Sequence, residues 1–263
     1  MSKLRALRAH LAGIGSGVTF TDRALIIDAL GRRGLDWATL PLRQRGLPAV
    51  AGRGRAYRIR DDVGNWVVPP EGGAGWLFPA TRGGSVVSAF ANIRAGTIID
   101  VGASFGYFTV RWAKQVGAAG RVLAVEPHPA RYAALCGNVA ANGLTNVVPI
   151  AGAAGDRAAA VTLYVPPTGS RHDASVLHPV GTPFQVVMRP LDAVVADSNG
   201  PPVSAVKIDV EGAEPLVLDG MVSLLRRDRP LVLFEALDAA GLAASVARRG
   251  LRCSRFARLY SLR

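Results

Sequence analysis

The hydrophobic positions change period along the chain. From Thr97 onward, short apolar runs alternate with stretches in which apolar residues recur every three or four positions. The runs read as buried strands and the periodic stretches as amphipathic helices. Strands are predicted over residues 97–101, 121–125 and 147–150, and helices over 105–116 and 129–142. The rhythm then breaks. Residues 161–165 and 185–188 read as β segments around a polar loop, 166–182, and 191–196 as a short helix. It resumes with a strand at 205–208, a helix within 213–225, a strand at 231–234, a helix at 239–249 and closing strands at 252–256 and 259–261. Alternation of this kind predicts an α/β fold with a mostly parallel, seven-stranded, doubly wound sheet. Ahead of it, residues 22–31 have helical spacing, and 57–59 with 66–68 suit a hairpin across Asp61–Asn65. A Pro/Gly/Arg-rich linker spans 46–54, and 83–93 reads as a helix leading into the main domain. The expected division is a basic N-terminal accessory region, 1–80, and a main domain, 81–263.

Composition adds size and charge. A chain of 263 residues, 49% hydrophobic, can bury a large core. It has no uncharged apolar run of 18 residues, so no membrane span is expected. Residues 11–21 are glycine-rich and only weakly apolar, which argues against a secretory signal. Two distant cysteines, Cys136 and Cys253, read as reduced thiols, and a cytoplasmic location follows as the expectation. The net charge of +12 is uneven: residues 1–60 hold 12 Lys/Arg against 3 Asp and no Glu. Such a segment suits a phosphate-bearing substrate, peripheral contact with an anionic membrane, or nucleic acid, and a solvated arm is the more ordinary account of it. No aromatics interleave with the arginines, which disfavours nucleic acid.

Residues 98–109, IIDVGASFGYFT, combine a strand end, a turn with Gly102 and Gly106, and a helix start. That combination forms the ligand corner of a doubly wound sheet, with Asp100 expected to point into the crevice and the glycines to admit a ligand. The spacing Asp100-x-Gly102-x-x-x-Gly106 is not the G-x-G-x-x-G of dinucleotide enzymes, which argues against a nicotinamide oxidoreductase. It suits S-adenosylmethionine, whose ammonium wants a carboxylate and whose carboxylate wants backbone amides. Ser104, Tyr107 and Phe108, in the same turn and helix start, join the candidate cofactor contacts. Glu126, 20 residues after Gly106 at the end of the second strand and followed by Pro127, stands where an acid meets both ribose hydroxyls. Asp156, after the third strand, is a candidate for the adenine edge or a turn residue. Lys207, Asp209, Glu211 and Glu214 crowd a second strand end, where acids must bind or pair. Glu235 ends another strand. It leads the candidate general bases, followed by Glu211 and by His172 in the polar loop, and Lys207 joins them among the candidate catalytic residues. A divalent ion at Asp209 is conceivable, without a clean set of ligands.

Together IIDVGASFGYFT, AVEPHP, LCGNVAANGL, RPLD, VKIDVEGAE and LFE resemble the FkbM-type methyltransferases over roughly residues 85–255, with KIDVEGAE the most diagnostic stretch. The resemblance implies a Rossmann-like core that binds S-adenosylmethionine. It also implies methyl transfer, most often to a hydroxyl of a sugar, glycolipid or secondary metabolite. By it Asp100, Gly102, Gly106 and Glu126 look like cofactor residues, and Asp209 and Glu211 like active-site acids. The partner expected is a small-molecule or saccharide acceptor. Nucleic-acid methylation through the basic arm, or cofactor binding without catalysis, are the alternatives.

Overall fold

The computed structural model describes residues 15–38, 55–68, 84–166, 174–235, 239–248, 253–256 and 259–262. The chain divides into two compact units, with the boundary in the main chain between Gly84 and Ser85.

The first unit holds helix α1 (Phe20–Ala38) and the antiparallel hairpin β1 (Tyr57–Arg60) and β2 (Asn65–Val68). Asp61 builds the hairpin turn, because its Oδ1 accepts from the Val63 and Gly64 amides and from the Trp66 indole, at 2.9–3.0 Å. Thr19 and Asp22 form a reciprocal cap on α1: the Asp22 amide donates to Thr19 Oγ1 (3.1 Å) and the Thr19 amide to Asp22 Oδ2 (3.0 Å). Asp22 Oδ1 also accepts from the Arg58 amide (2.8 Å), which ties helix to hairpin. Burial pushes the Asp22 pKa up, but hydrogen bonds from Thr19 and Arg58 outweigh it and hold the carboxyl below its ordinary range. Ile26, Tyr57, Ile59, Trp66 and Val68 are buried here. Helix α1 runs past Gly31, its predicted end, since a glycine weakens a helix by about 1 kcal/mol without having to stop it.

The second unit begins with α2 (Gly84–Ala89), β3 (Gly96–Val101), α3 (Tyr107–Val116), β4 (Gly120–Glu126), α4 (Pro129–Ala141) and β5 (Val147–Ala151). Next come β6 (Ala153–Ala154), β7 (Ala159–Val165), β8 (Thr182–Arg189), α5 (Leu191–Ser198) and β9 (Val203–Ile208). It ends with α6 (Glu214–Asp219), α7 (Val222–Asp228), β10 (Leu231–Glu235), α8 (Ala239–Arg248), β11 (Cys253–Phe256) and β12 (Leu259–Leu262). Seven strands form one sheet in the order β11-β12-β10-β9-β3-β4-β5. It is parallel from β10 to β5, and β12 runs antiparallel to both β10 and β11. Alternate residues of the central strands feed two cores: Ile99, Leu123, Val206 and Phe234 on one side, Ile98, Val122, Ala205 and Leu233 on the other. Burial on both faces is why these strands read as continuous apolar runs.

Two local readings change. The single helix expected within 213–225 is two, α6 and α7, broken at Gly220. A Cβ there would lie 1.8 Å from the Gly155 carbonyl oxygen, so the chain passes against another backbone at that point. Asp192 then caps the new helix start, accepting from the Ser223 (3.0 Å) and Leu224 (2.7 Å) amides. Ala153–Ala154, outside the predicted strands, is a strand pairing in parallel with β8, and β6-β8-β7 make a separate three-stranded sheet.

Candidate active site

Strand β3 is the switch point of the large sheet: β4 and β5 lie to one side, β9 and β10 to the other. Chains leaving a parallel sheet in opposite directions open a crevice beyond the strand ends. Here it is a cleft of about 180 Å³, lined at its base by the ends of β3, β4 and β9. The turn after β3 is pinned on both sides. The Gly102 and Ala103 amides both donate to the Val125 carbonyl (3.0 Å each), and the Asp209 amide donates to the Val101 carbonyl (3.2 Å).

Glu126 is the buried acid of this cleft. Its Oε2 accepts from the Ser104 amide (2.7 Å) and its Oε1 from the His128 amide (2.8 Å). Two backbone donors orient the carboxylate and leave each oxygen further acceptor capacity. Burial raises its pKa, opposed by the His128 amide, the Arg131 charge, the Ser104 amide and Lys207. His128 also caps α4, its Nδ1 accepting from the Ala130 amide (3.1 Å), so this nitrogen carries no proton.

Asp100 does not point into the crevice. It is fully buried: Thr109 Oγ1 donates to its Oδ2 (2.7 Å), and Lys207 Nζ lies 3.4 Å from its Oδ1. Lys207 Nζ also donates to the Gly102 carbonyl (2.9 Å) and stands 3.4 Å from Asp209 Oδ2 and 5.5 Å from the Phe108 ring centroid. Burial alone would lower the Lys207 pKa, but Asp100 and Asp209 outweigh it and the net shift is upward. This ammonium therefore stays protonated, and the sequence-based placement of Lys207 among catalytic groups gives way to a clamp beneath the cleft. Phe108 belongs to the same packing, stacked on Trp112 with centroids 5.2 Å apart, and Tyr107 sits edge-on to Phe108.

Both glycines are required by the chain itself, and Gly102 also lines the cleft. At Gly102 (φ 74°) a Cβ would fall 2.0 Å from the Asp209 carbonyl oxygen; at Gly106 (φ 88°) it would fall 2.6 Å from Leu135 Cδ1. The turn amides are also committed. Those of Gly102, Ala103, Ser104 and Gly106 all donate within the chain, so they are not the exposed donors expected from the sequence.

Asp209 and Glu211 line the cleft, as do Ser104 and Pro127. Ser104 (φ 52°) and Glu211 (φ 54°) are both left-handed without being glycine. The other two such residues described, Asn199 and Arg229, are C-caps of α5 and α7, where that conformation is ordinary. Ser104 and Glu211 have no such explanation, and strain of this kind collects at functional sites. Glu214 is buried and caps the Gly212 (3.2 Å) and Val210 (3.4 Å) amides, so the last acid of VKIDVEGAE is structural; burial raises its pKa.

Glu235, the last residue of β10, is exposed and does not line the cleft, whereas Glu211 does. Asp156 does not line it either and pairs with Arg157 (2.8 Å). His172 lies outside the described residues. Arg131 and Ser175 line the cleft but escaped the sequence reading. Ser175 Oγ approaches the Glu211 carbonyl (3.3 Å), and a Cβ on Gly212 would stand 3.6 Å from His178 Nε2. Helical periodicity from Pro129 signals that Arg131 sits in the first turn after Glu126. No local signal brings residue 175 to residue 211. Among the described residues no group of three or more His, Cys, Asp or Glu is arranged to hold a metal ion, and no helix is long and apolar enough to cross a membrane.

The sequence model of the methyltransferase FkbM domain matches residues 100–245. Among solved structures, this chain is similar to a methyltransferase FkbM from Methylobacillus flagellatus at 20% identity and a TM-score of 0.44, over 65% of this chain and 45% of that one. It is similar to an S-adenosylmethionine-dependent methyltransferase from Aquifex aeolicus at 14% identity and 0.39, over 68% and 86%. Fibrillarin from Aeropyrum pernix, in complex with S-adenosylmethionine, shares 13% identity at 0.41, over 80% and 94%. This chain thus spans less than half the length of the Methylobacillus protein. No curated protein matches its sequence.

Proposed function

The chain belongs to the FkbM methyltransferase family, and we propose that its cleft binds S-adenosylmethionine and directs methyl transfer to a hydroxyl of a sugar, glycolipid or other secondary metabolite. The observation that carries this reading is the acidic cleft. In a chain of net charge +12, the carboxylates of Glu126, Asp209 and Glu211 gather at one switch point. That charge suits a ligand bearing an ammonium and a sulfonium, with Arg131 beside it in the lining. Glu126 fits the ribose: an oriented carboxylate with acceptor capacity left over. Leu163, Ala153 and Ala154 line an apolar wall suited to a flat base. When bound, the cofactor supplies an electrophilic methyl group on its sulfonium.

The chain's own residues then position and deprotonate. Lys207 fixes Asp209 and the Gly102 carbonyl in one clamp. Glu211, on its strained turn, is the candidate base that takes the proton of the attacking hydroxyl. Ser175 and His178 flank that turn and mark the acceptor side. Calorimetric titration with S-adenosylmethionine, followed by radiolabelled methyl transfer to a panel of sugars and glycolipids, tests the reading. The expected outcome is binding by the parent protein, about tenfold or weaker binding by Glu126→Ala, and labelled product lost in Glu211→Gln. Absence of binding by folded protein sinks the proposal. Binding without transfer to any hydroxyl sinks its catalytic half.

A further inference from the structure

Glu211 and Gly212 are the central residues of a tight turn, closed by the Ala213 amide donating to the Val210 carbonyl (3.4 Å). Both hold a positive φ, 54° and 102°. Gly, Asn and Asp take such positions at little cost, and a glutamate does not. The conformation persists because its surroundings impose it. Glu214 Oε1 accepts from the Val210 (3.4 Å) and Gly212 (3.2 Å) amides, on either side of Glu211. Ser175 Oγ donates to the Glu211 carbonyl (3.3 Å). The peptide unit that joins Glu211 to Gly212 is therefore held at its N–H by one side chain and at its carbonyl by the other.

Ser175 reaches this turn from 36 residues upstream, on the connection between β7 and β8. It is 2% exposed and lines the cleft together with Glu211. Its backbone is fastened elsewhere: the Ser175 amide donates to the Tyr164 carbonyl (3.0 Å), and the Tyr164 amide to the Ser175 carbonyl (2.9 Å). Those two bonds anchor the connection to β7 without the side chain. The hydroxyl has one proton to donate, and it goes to the Glu211 carbonyl, while the Leu177 amide donates to the same oxygen (3.2 Å). Closing the loop needs the Leu177 bond alone; the bond to Glu211 reaches outside it.

We propose that Ser175 is a positioning residue for Glu211: its hydroxyl fixes the carbonyl end of the 211–212 peptide and so keeps the Glu211 carboxylate within reach of the acceptor hydroxyl. The inference rests on the reading of Glu211 as the base that takes the acceptor's proton. A base acts only within hydrogen-bond reach of that proton, and small misplacements are costly to the rate. A turn that relaxes its left-handed glutamate therefore slows transfer, while the cofactor contact at Glu126 stays as it is.

Ser175→Thr and Ser175→Val test the proposal in the full chain. Both are β-branched and differ in the hydroxyl, so crowding by the added methyl group is common to the two. With saturating S-adenosylmethionine and a sugar or glycolipid that the parent methylates, kcat should fall about tenfold or more in Ser175→Val and stay within about threefold of the parent in Ser175→Thr. The calorimetric Kd for S-adenosylmethionine should stay within about threefold in both, a split that general loosening of the fold does not produce. Amide hydrogen exchange with S-adenosylmethionine alone reads the grip without an acceptor: Gly212 should exchange about tenfold faster in Ser175→Val than in Ser175→Thr. Equal kcat in the two variants, or equal exchange at Gly212, overturns the proposal. If the parent binds S-adenosylmethionine and methylates none of the panel, the reading of Glu211 as a base fails and takes this role with it, while a difference at Gly212 would still show that Ser175 holds the turn.

Discussion

Lys207 and Asp100 face one another in a buried pair beneath the turn, and Lys207 reaches Asp209 as well. Removing the cation alone leaves the buried Asp100 without its partner, which costs about 3–5 kcal/mol. Lys207→Met should therefore lower stability by that order in urea denaturation, and adding Asp100→Asn should recover part of the loss. Glu126 differs because its carboxylate faces the cleft. Burial places its pKa above the ordinary 4.5. A group raised in this way favours the fold fully below 4.5 and loses that contribution as pH rises through the folded value. Ligand binding runs the opposite way, since hydroxyls bond best to the ionised form. Affinity for S-adenosylmethionine should fall as pH drops through the raised value. Glu126→Gln should bind weakly and without that pH dependence, because its amide would set a donor against a backbone donor; titration calorimetry across pH checks both.

The elements meet through close backbone approaches that tolerate little. The turn from β3 into α3 passes so near the end of β9 that any side chain at residue 102 collides with the Asp209 carbonyl. Gly102→Ala must also hold φ near 74°, so it should cost more than 3 kcal/mol and shift Asp209 away from Lys207. The cap on α7 is gentler: Asp192→Ala, which removes two hydrogen bonds from the helix start, should cost about 1 kcal/mol. Denaturation midpoints rank the two variants, and the order Gly102→Ala below Asp192→Ala below parent is expected. The strands of the large sheet and the hairpin are readable from period and turn residues alone, whereas the short β6 is not. The break between α6 and α7 is not either, because its cause, the Gly155 backbone, lies 65 residues upstream of Gly220 in the sequence.

At the scale of the molecule the two units differ in how much they bury. The second packs two cores on opposite faces of its sheet. The described core of the first is a helix face on a two-stranded hairpin, around Ile26, Ile59 and Trp66. A two-stranded sheet is marginal alone. Amides of β1 and β2 should therefore exchange with deuterium about a hundredfold or more faster than those of β3, β4 and β9 under native conditions. Equal protection would mean that the units open together.

Local pattern sufficed for the alternation of elements, the mostly parallel sheet, the family resemblance and the positions of Glu126, Asp209 and Glu211 at strand ends. These follow from period, turn chemistry and short motifs, which act between near neighbours in the chain. The direction of Asp100, the clamp on Lys207, the structural role of Glu214 and the arrival of Ser175 beside Glu211 came only with the folded chain. Each depends on a partner far along the sequence, or on which way a buried side chain turns once the sheet has closed around it. Asp100 shows the difference most plainly. Its place at a strand end was legible, but a fully buried carboxylate seeks the nearest cation, and that cation stands 107 residues later, on the neighbouring strand β9.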